Sequence, residues 1–355
     1  MSQPSRRRLR IFAFSPWAGK VQDAAEYLAA LPTLDIRPMT SNPADPHLAK
    51  LGRLDADWHG ESVRCFAALS HPGLEFLPAR ILGRTGFADL IAQQPPADEE
   101  WWVIFYGQHP GNLEKLAGPV FTALRRRGIR IFYYAFDEAG GVMPCFPDIA
   151  PHLSILVHDD EPIPAAKRAR LASDCLCVHR SWVANLLPFA APFNETPSET
   201  ILFLGSEMGL TDNRRRQIAF LRQRFKDRFI AHHDHSVSVA SRLELRRHKV
   251  SLCPEGRKFG TPAMARTHTD RPFWSGCLGM IPVSENSLQG GRLEELATLG
   301  LIERYEHADL KSLALACEGA LAADTARRRR IHDYFNRHET VGTVIAELLA
   351  QKAGN

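Results

Sequence analysis

Short apolar runs alternate with segments of helical periodicity along the whole chain. In the first half, runs rich in β-branched and aromatic residues predict strands at 9–14, 101–106, 129–135, 154–157 and 175–178. The segments between them predict helices at 21–30, 112–127, 165–172 and 182–187. Regular alternation of this kind is typical of an α/β fold with a mostly parallel sheet.

A proline-rich stretch separates this series from a second one. Residues 188–199 read PFAAPFNETPSE, and three prolines in a short polar segment predict an interdomain linker. The second series predicts strands at 201–204, 228–231, 249–253 and 280–283, with helices at about 214–224, 239–247 and 273–278. The pattern from 308 to 352 is helical throughout. We predict domains at residues 1–190 and 191–340, and a C-terminal helix at 341–355 that could pack back on the first domain.

The bulk composition narrows the class of protein. The chain has 355 residues, 45% hydrophobic and 24% charged, which is enough to form two globular domains. Its net charge of +4 is far below the basic bias of a dedicated nucleic-acid binder. Arginine runs at 6–10 and 327–330 are expected to be a solvated tail and a solvated helix face. The alternative is a basic patch that meets anionic lipid or a phosphorylated acceptor.

The cysteines indicate a reducing compartment. None of the seven forms a CxxC pair, which disfavours a zinc ribbon or a thioredoxin-like motif. Several lie in apolar runs, where a reduced cysteine packs as a small hydrophobe. No apolar stretch approaches the roughly 20 residues that span a bilayer. We therefore expect a cytoplasmic protein, with peripheral membrane contact through the arginine runs left open.

Most of the candidate chemistry lies in residues 249–286, which read KVSLCPEGRKFGTPAMARTHTDRPFWSGCLGMIPVSEN. Strand, loop, helix and strand follow one another here, and the loop carries the cations Lys258, Arg266, His268 and Arg271. Thr269 or Asp270 would cap the helix, with Pro272 in its first turn. A helix N-terminus beside cations favours a phosphate group. In an open α/β sheet the ligand sits beyond the carboxyl ends of the strands, which is where this loop begins.

The spacing within this segment resembles a known family. Arg271, then Gly279 eight residues later, then 281–283 (IPV) resemble the donor-binding helix of exostosin-like and related glycosyltransferases with the two-domain GT-B fold. The preceding KVSLCPEG is similar to that family's K-x-x-L-x-P-x-G. Many of these enzymes have an acidic residue three positions after the arginine. This chain has Trp274 there, and Glu255, earlier in the loop, could substitute for it.

The resemblance implies two Rossmann-like domains facing a cleft, with a nucleotide-sugar donor bound to the second. ILFLGS at 201–206, followed by arginines at 214–216, also resembles the opening strand and glycine turn of that donor domain. The donor-binding residues expected on this basis are Gly205, Ser206, Arg214, Glu255, Lys258, His268, Thr269, Asp270 and Arg271. The resemblance also implies that cations and helix dipoles, not a metal ion, stabilise the leaving diphosphate, and that no cofactor beyond the nucleotide sugar is required.

Two further sequence features bear on metal and phosphate binding. The HHDH cluster at 232–235 is a polar loop or a metal site, but adjacent residues on an extended chain point to opposite faces. We therefore favour the polar loop. SPWAGK at 15–20 lacks the spacing of a phosphate-binding P-loop.

Loops of the first domain offer candidates for a catalytic base. YGQHPGN at 106–112 follows a strong strand, and its His109 would point toward the ligand, although a structural turn is the alternative. Asp137 comes shortly after the strand predicted at 129–135, and His158 comes directly after the strand predicted at 154–157. An inverting transferase needs such a group to accept the proton of the acceptor hydroxyl, and a retaining one does not. Capping residues and solvated turns remain the other interpretation.

These patterns together predict a metal-independent glycosyltransferase that moves a sugar from a nucleotide sugar to a glycan, a lipid or a small molecule. One alternative is an epimerase or a phosphorylase on the same fold. Another is a non-catalytic homologue that binds a glycan or a nucleotide, to which Trp274 points. A Rossmann dehydrogenase is disfavoured because no GxGxxG follows a predicted strand.

Overall fold

The chain forms two compact α/β units. In the computed structural model, the described residues are 7–14, 69–82, 86–106, 117–134, 146–158, 165–179, 192–205, 211–232, 244–254, 271–285 and 292–353. The first unit comprises Met1–Arg180 together with Gly342–Asn355, and the second comprises Ser181–Val341. The end of the chain therefore belongs to the same unit as its beginning.

The first unit is built on a parallel sheet. Its strands are β1 (Arg7–Phe14), β2 (Leu74–Phe76), β3 (Arg80–Leu82), β4 (Glu99–Tyr106), β5 (Arg130–Tyr134), β6 (Ile155–His158) and β7 (Leu176–His179). Their order is β2-β1-β4-β5-β6-β7, and β3 pairs with the second half of β1. The helices along this part of the chain are α1 (Gly86–Ala92), α2 (Ala117–Arg126), α3 (Phe146–Ile149) and α4 (Ala165–Arg168).

The second unit has its own parallel sheet. Its strands are β8 (Ser198–Leu204), β9 (Phe229–His232), β10 (His248–Cys253), β11 (Ile281–Glu285) and β12 (Glu303–Tyr305), in the order β12-β11-β10-β8-β9. The helices of this unit are α5 (Asp212–Phe225), α6 (Arg271–Cys277), α7 (Arg292–Thr298), α8 (Leu310–Ala322) and α9 (Thr325–His338). The last helix, α10 (Val341–Ala353), belongs to the first unit from Gly342 onward. The two predicted α/β series are thus confirmed as two parallel sheets.

Central strands of both sheets are buried on both faces. Trp102, Val103 and Ile104 of β4 are inaccessible to solvent, as are Val250 and Leu252 of β10. Parallel strands covered by helices on both sides show such unbroken apolar runs. This is why the hydrophobic pattern located these strands well.

The helical tail predicted for 308–352 is three helices with two breaks. Asp309 and Asp324 cap α8 and α9 by accepting hydrogen bonds from backbone N–H groups of the first turns. The edge strand β12 and the helix α7 were not predicted, because three and seven residues are too short for a clear period. Of the helix predicted at 239–247, the structure describes residues 244–247: Glu244 is α-helical, and Leu245–Arg247 form a 3-10 turn.

The arginine run in β1 is paired with acidic residues. Arg7 contacts Glu100 at 2.9 Å, Arg8 contacts Asp98, and Arg10 makes two hydrogen bonds to Glu99 at 2.9 and 3.2 Å. The expectation of a solvated tail is therefore wrong for these three arginines, which join β1 to β4 and its preceding turn.

Arginines of the second run, on α9, also make contacts within the second unit. Arg328 is 1% exposed and donates to the carbonyls of Gly279 and Asn194 at 3.2 and 2.9 Å. The ring of Phe193 lies between the guanidinium groups of Arg328 and Arg329, at 5.0 and 4.6 Å. The predicted solvated face is therefore wrong for Arg328. The end of the proline-rich linker is packed on the second unit.

The five cysteines that lie in the described residues are unpaired, as expected for reduced side chains. Burial raises the pKa of Cys175 and Cys317 to about 12 and raises that of Cys277 as well. These thiols are packing groups with little nucleophilic character. Within the described residues, no helix has the length and apolar character needed to cross a membrane.

Replacing Gly276 tests the contact between α6 and α9. A Cβ at this position would lie 2.4 Å from the ring of Phe335, which is fully buried, so Gly276→Ala must displace α9 or the ring. We expect a loss of about 1–3 kcal/mol in the free energy of unfolding, measured by urea denaturation. Gly118→Ala in α2 is the control, since no atom lies within 4 Å of its added methyl group. Equal stability of the two variants would contradict this packing.

Candidate functional site

The strand order of the second sheet reverses between β8 and β10. From β8 the chain adds β9 on one side, and it then adds β10, β11 and β12 on the other. At such a switch point the two connections leave toward opposite faces, and a crevice opens beyond the carboxyl ends of the strands. Here those ends are Leu204 with Gly205, and Cys253 with Pro254. This edge of the sheet is the candidate site.

Two of the predicted donor-binding arginines reach this switch point. Arg271, the first residue of α6, donates from Nε to the carbonyl oxygen of Leu204 at 2.9 Å. Arg214, in the first turn of α5, donates from Nη2 to the carbonyl oxygen of Pro254 at 3.1 Å. Each arginine thus lies at the carboxyl end of one of the two strands that flank the switch. Sequence spacing alone did not show that they converge.

The two arginines differ in how exposed their guanidinium groups are to a ligand. Arg214 is 7% exposed and belongs largely to the protein interior. Arg271 is half-buried, and among the described residues its hydrogen bond uses Nε alone. With respect to the described residues, its two terminal nitrogens can act as a fork of donors for an anion. Arg271 is the stronger candidate for ligand contact, and Arg214 for holding the strand end in place.

Gly205 continues the carboxyl end of β8. Its N–H donates to the carbonyl oxygen of His232 in β9 at 3.0 Å, and an added Cβ would lie 2.7 Å from Phe203. The glycine is therefore required by local packing. The next described residue is Thr211, whose hydroxyl accepts from the N–H of Arg214 at 3.2 Å and begins α5. The N-terminus of this 14-residue helix is near the same edge, where its dipole favours an anion.

A polar network that sequence analysis missed lies at the neighbouring strand end. Glu285, the last residue of β11, is 1% exposed, and its Oε1 accepts from Asn213 at 2.9 Å and Gln217 at 3.1 Å. Nδ1 of His307, just beyond β12, is 2.8 Å from the same oxygen. Tyr305 donates to Gln217 at 3.3 Å. The signal was available: a charged residue ending a buried parallel strand belongs to the ligand edge.

Helix α6 is mainly a core element. Ser275 donates to Ser251 of β10 at 2.8 Å, and Trp274 is 5% exposed within the hydrophobic core of the second unit. The position at which the resemblance would place an acidic residue is therefore a packing position in this chain. Arg271, the first residue of α6, is the candidate for a ligand contact from this helix.

The first sheet has a switch point of its own. Its strand order reverses between β1 and β4, whose ends are in register at Phe14 and Phe105. The segments beginning at 15 and 107 follow these two strands, as a ligand-binding edge requires. His158 ends β6 and is completely buried, so the structure does not show it reaching solvent. Its predicted role as a base stays a prediction.

Several predicted residues lie outside the described part of the chain, and their roles stay predictions. They are His109, Asp137, Ser206, Glu255, Lys258, His268, Thr269 and Asp270. Of the HHDH cluster, only His232 is described, at the end of β9. Across the described ranges, no group of three or more His, Cys, Asp or Glu side chains is arranged to hold a metal ion.

Glu285 should be essential for the order of this edge. Glu285→Ala leaves the side-chain donors of Asn213 and Gln217 without their acceptor, so we expect a loss of about 2–4 kcal/mol in unfolding free energy. Chemical denaturation of the full chain measures it. Glu294→Ala, at an exposed position of α7, is the matched control and should change stability by less than about 0.5 kcal/mol. An equally small effect at Glu285 would show that this network is not structural.

This chain is similar to known proteins in structure and not in sequence. No protein-family profile matches the chain, and no curated protein is significantly similar in sequence. The solved structure of Thermobaculum terrenum O-GlcNAc transferase is similar with a TM-score of 0.43 and 13% identity, over 98% of this chain and 68% of that one. WaaG, a glycosyltransferase of lipopolysaccharide biosynthesis, is similar with a TM-score of 0.40 and 10% identity, over 96% and 98%. The glycotransferase of kitacinnamycin gives 0.39 and 10%, over 98% and 100%. At this identity the likenesses assign no activity, so function has to be argued from the site.

Proposed function

We propose that this protein is a GT-B glycosyltransferase that transfers a sugar from a nucleotide-sugar donor, without a metal ion, to a glycan, lipid or small-molecule acceptor. The observation that carries the proposal is the meeting of Arg271 and Arg214 at the switch point of the second sheet. The exostosin-like spacing from Arg271 to Gly279 supports the same assignment. A cytoplasmic location is part of the proposal, since the described cysteines are unpaired.

The proposed donor site would hold the diphosphate beside Arg271. When the bond between sugar and diphosphate breaks, negative charge develops on the departing phosphate oxygen. The terminal guanidinium donors of Arg271 can pair with that charge, and the N-terminal dipole of α5 favours it further. Because Nε of Arg271 is already fixed on the carbonyl of Leu204, the fork is held in place before the donor arrives. Little reorganisation is then needed during the reaction.

The acceptor, in this proposal, binds at the carboxyl edge of the first sheet. His109 and Asp137 are the candidates for removing the proton of the acceptor hydroxyl if the enzyme inverts the sugar. His158 is a weaker candidate in the observed state because it is buried at 0% exposure. Retention of configuration would need none of the three as a base.

A non-catalytic nucleotide-binding protein is the second candidate. The observation that favours it is the burial of Trp274 at the position where the related enzymes have an acidic residue. Such a protein would keep the diphosphate site at Arg271 but give no sugar transfer. Epimerase or phosphorylase activity would instead appear without an acceptor, or with inorganic phosphate in place of one.

Nucleotide binding with Arg271 variants tests the donor site. We expect one nucleoside diphosphate of a panel to raise the melting temperature of the wild-type chain, and Arg271→Ala to weaken its affinity by about tenfold or more, because a charge-assisted hydrogen bond is lost. Calorimetric titration gives the dissociation constants. Arg216→Ala, on an exposed position of α5, should bind like the wild type.

The outcomes separate the candidates. Release of sugar from the matching nucleotide sugar only in the presence of an acceptor would support the transferase. Tight binding without any turnover would favour the non-catalytic protein. Absence of nucleotide binding by the wild type, or equal binding by the wild type and Arg271→Ala, would contradict the proposed donor site.

A further inference from the structure

A cavity with charged side chains in its lining lies at the end of the first sheet where its strands begin. It has a volume of about 620 Å³ and is lined by side chains that precede or begin β5, β6 and β7, together with the ends of two helices. Arg130 begins β5, Ser154 precedes β6 and Asp174 precedes β7. Small-molecule sites fall in the range of about 300–1,000 Å³. The cavity can therefore hold a small organic molecule, and it lies at the other end of the strands from the carboxyl edge of the first sheet.

The charges around this cavity are mostly positive. Its lining has three cations, Arg125, Arg130 and Lys352, and one carboxylate, Asp174. Arg125 donates to the hydroxyl of Ser154 at 3.0 Å and contacts no carboxylate of the described residues. Burial, and then the charge of Arg125, lower the pKa of the nearby His152. Among the described residues, the charge of Arg125 is thus not paired with a carboxylate, and it adds positive potential to the cavity.

The other two cations are held in fixed positions. Arg130 lies 3.1 Å from Glu100 and 5.5 Å from the ring centre of Trp102, and these two contacts hold its guanidinium group in place. Lys352, in the last turn of α10, donates to the backbone carbonyl of Asp174 and is 3.7 Å from its carboxylate. Cations from α2, β5 and α10 therefore surround one space, and their side chains are positioned before any ligand enters.

We propose that this cavity binds a small phosphorylated molecule at a site separate from the donor site. A phosphate monoester carries up to two negative charges and enough oxygens to accept from several cations at once. The volume leaves room for an organic portion beside the phosphate. Since Lys352 comes from α10, Arg125 from α2 and Arg130 from β5, the bound molecule would also link α10 to the rest of the first unit.

Calorimetric titration of the full chain with inorganic pyrophosphate tests this site. We expect saturable binding that Arg125→Gln and Lys352→Gln each weaken by about tenfold, because one charged donor is removed in each. Asp174→Asn should strengthen binding several-fold, since it removes the repelling carboxylate of the lining. Arg126→Gln is the control: it is exposed, adjacent in sequence and outside the cavity, and should bind like the wild type.

Two further variants keep the result interpretable. Arg125→Lys retains the charge and should recover part of the affinity lost in Arg125→Gln, which a purely structural role of the side chain would not predict. Arg271→Ala should leave this binding unchanged, because Arg271 lies in the other unit. Binding that ignores Arg125, Lys352 and Asp174, or that is lost in Arg271→Ala, would overturn the proposal. Loss of binding in Arg271→Ala alone would instead assign the pyrophosphate to the proposed donor site, which also takes a diphosphate.

Discussion

The second unit depends on how its helices are tied to the carboxyl ends of its central strands. Strand ends at a switch point have carbonyl groups that the sheet no longer pairs, and a buried carbonyl without a partner is costly. Arg271 donates to the carbonyl of Leu204, and Arg214 donates to that of Pro254. The same two bonds fix the beginnings of α6 and α5. The same two side chains therefore bond the carbonyl groups at the strand ends and place positive charge there.

Glu285 completes this arrangement by electrostatics as well as by geometry. A buried carboxylate is tolerated only when several donors surround it, and here Asn213, Gln217 and His307 converge on one oxygen. Since Asn213 and Gln217 are both on α5, the carboxylate holds the first turns of that helix against β11 and β12. The edge that carries positive charge for the proposed ligand thus also contains a carboxylate that pairs with side chains of the protein. The carboxylate of Glu285 stabilises the fold, and the arginines at the same edge provide the positive charge.

The hydrophobic pattern of the sequence predicted the strands, but it did not predict the contacts between residues that are far apart in the chain. Both parallel sheets were predictable because strands such as β4 and β10 are buried on both faces and read as continuous apolar runs. Arg271 and Gly205 were predictable because helix starts and glycine turns carry local signals. The partners of Arg214 and Glu285 were not, since Arg214 and Pro254 are 40 positions apart and Glu285 and Gln217 are 68 apart. Trp274 shows the same limit: spacing located it, but only packing shows that it belongs to the core.

The arginines of this chain show why a run of charge in a sequence is a poor guide to a charged surface. Arg328 is buried, and it donates to two backbone carbonyls and lies over Phe193. The wide, flat guanidinium group can satisfy several carbonyls and an aromatic face at once, which a lysine cannot. A residue of a run that looks like a basic patch can thus be part of the interior of the fold. The positive charge proposed to meet a ligand comes from Arg271 at one strand end, and from Arg125 and Arg130 beside the beginning of another strand. Function at both edges therefore has to be sought among residues brought together by topology, not among those adjacent in the chain.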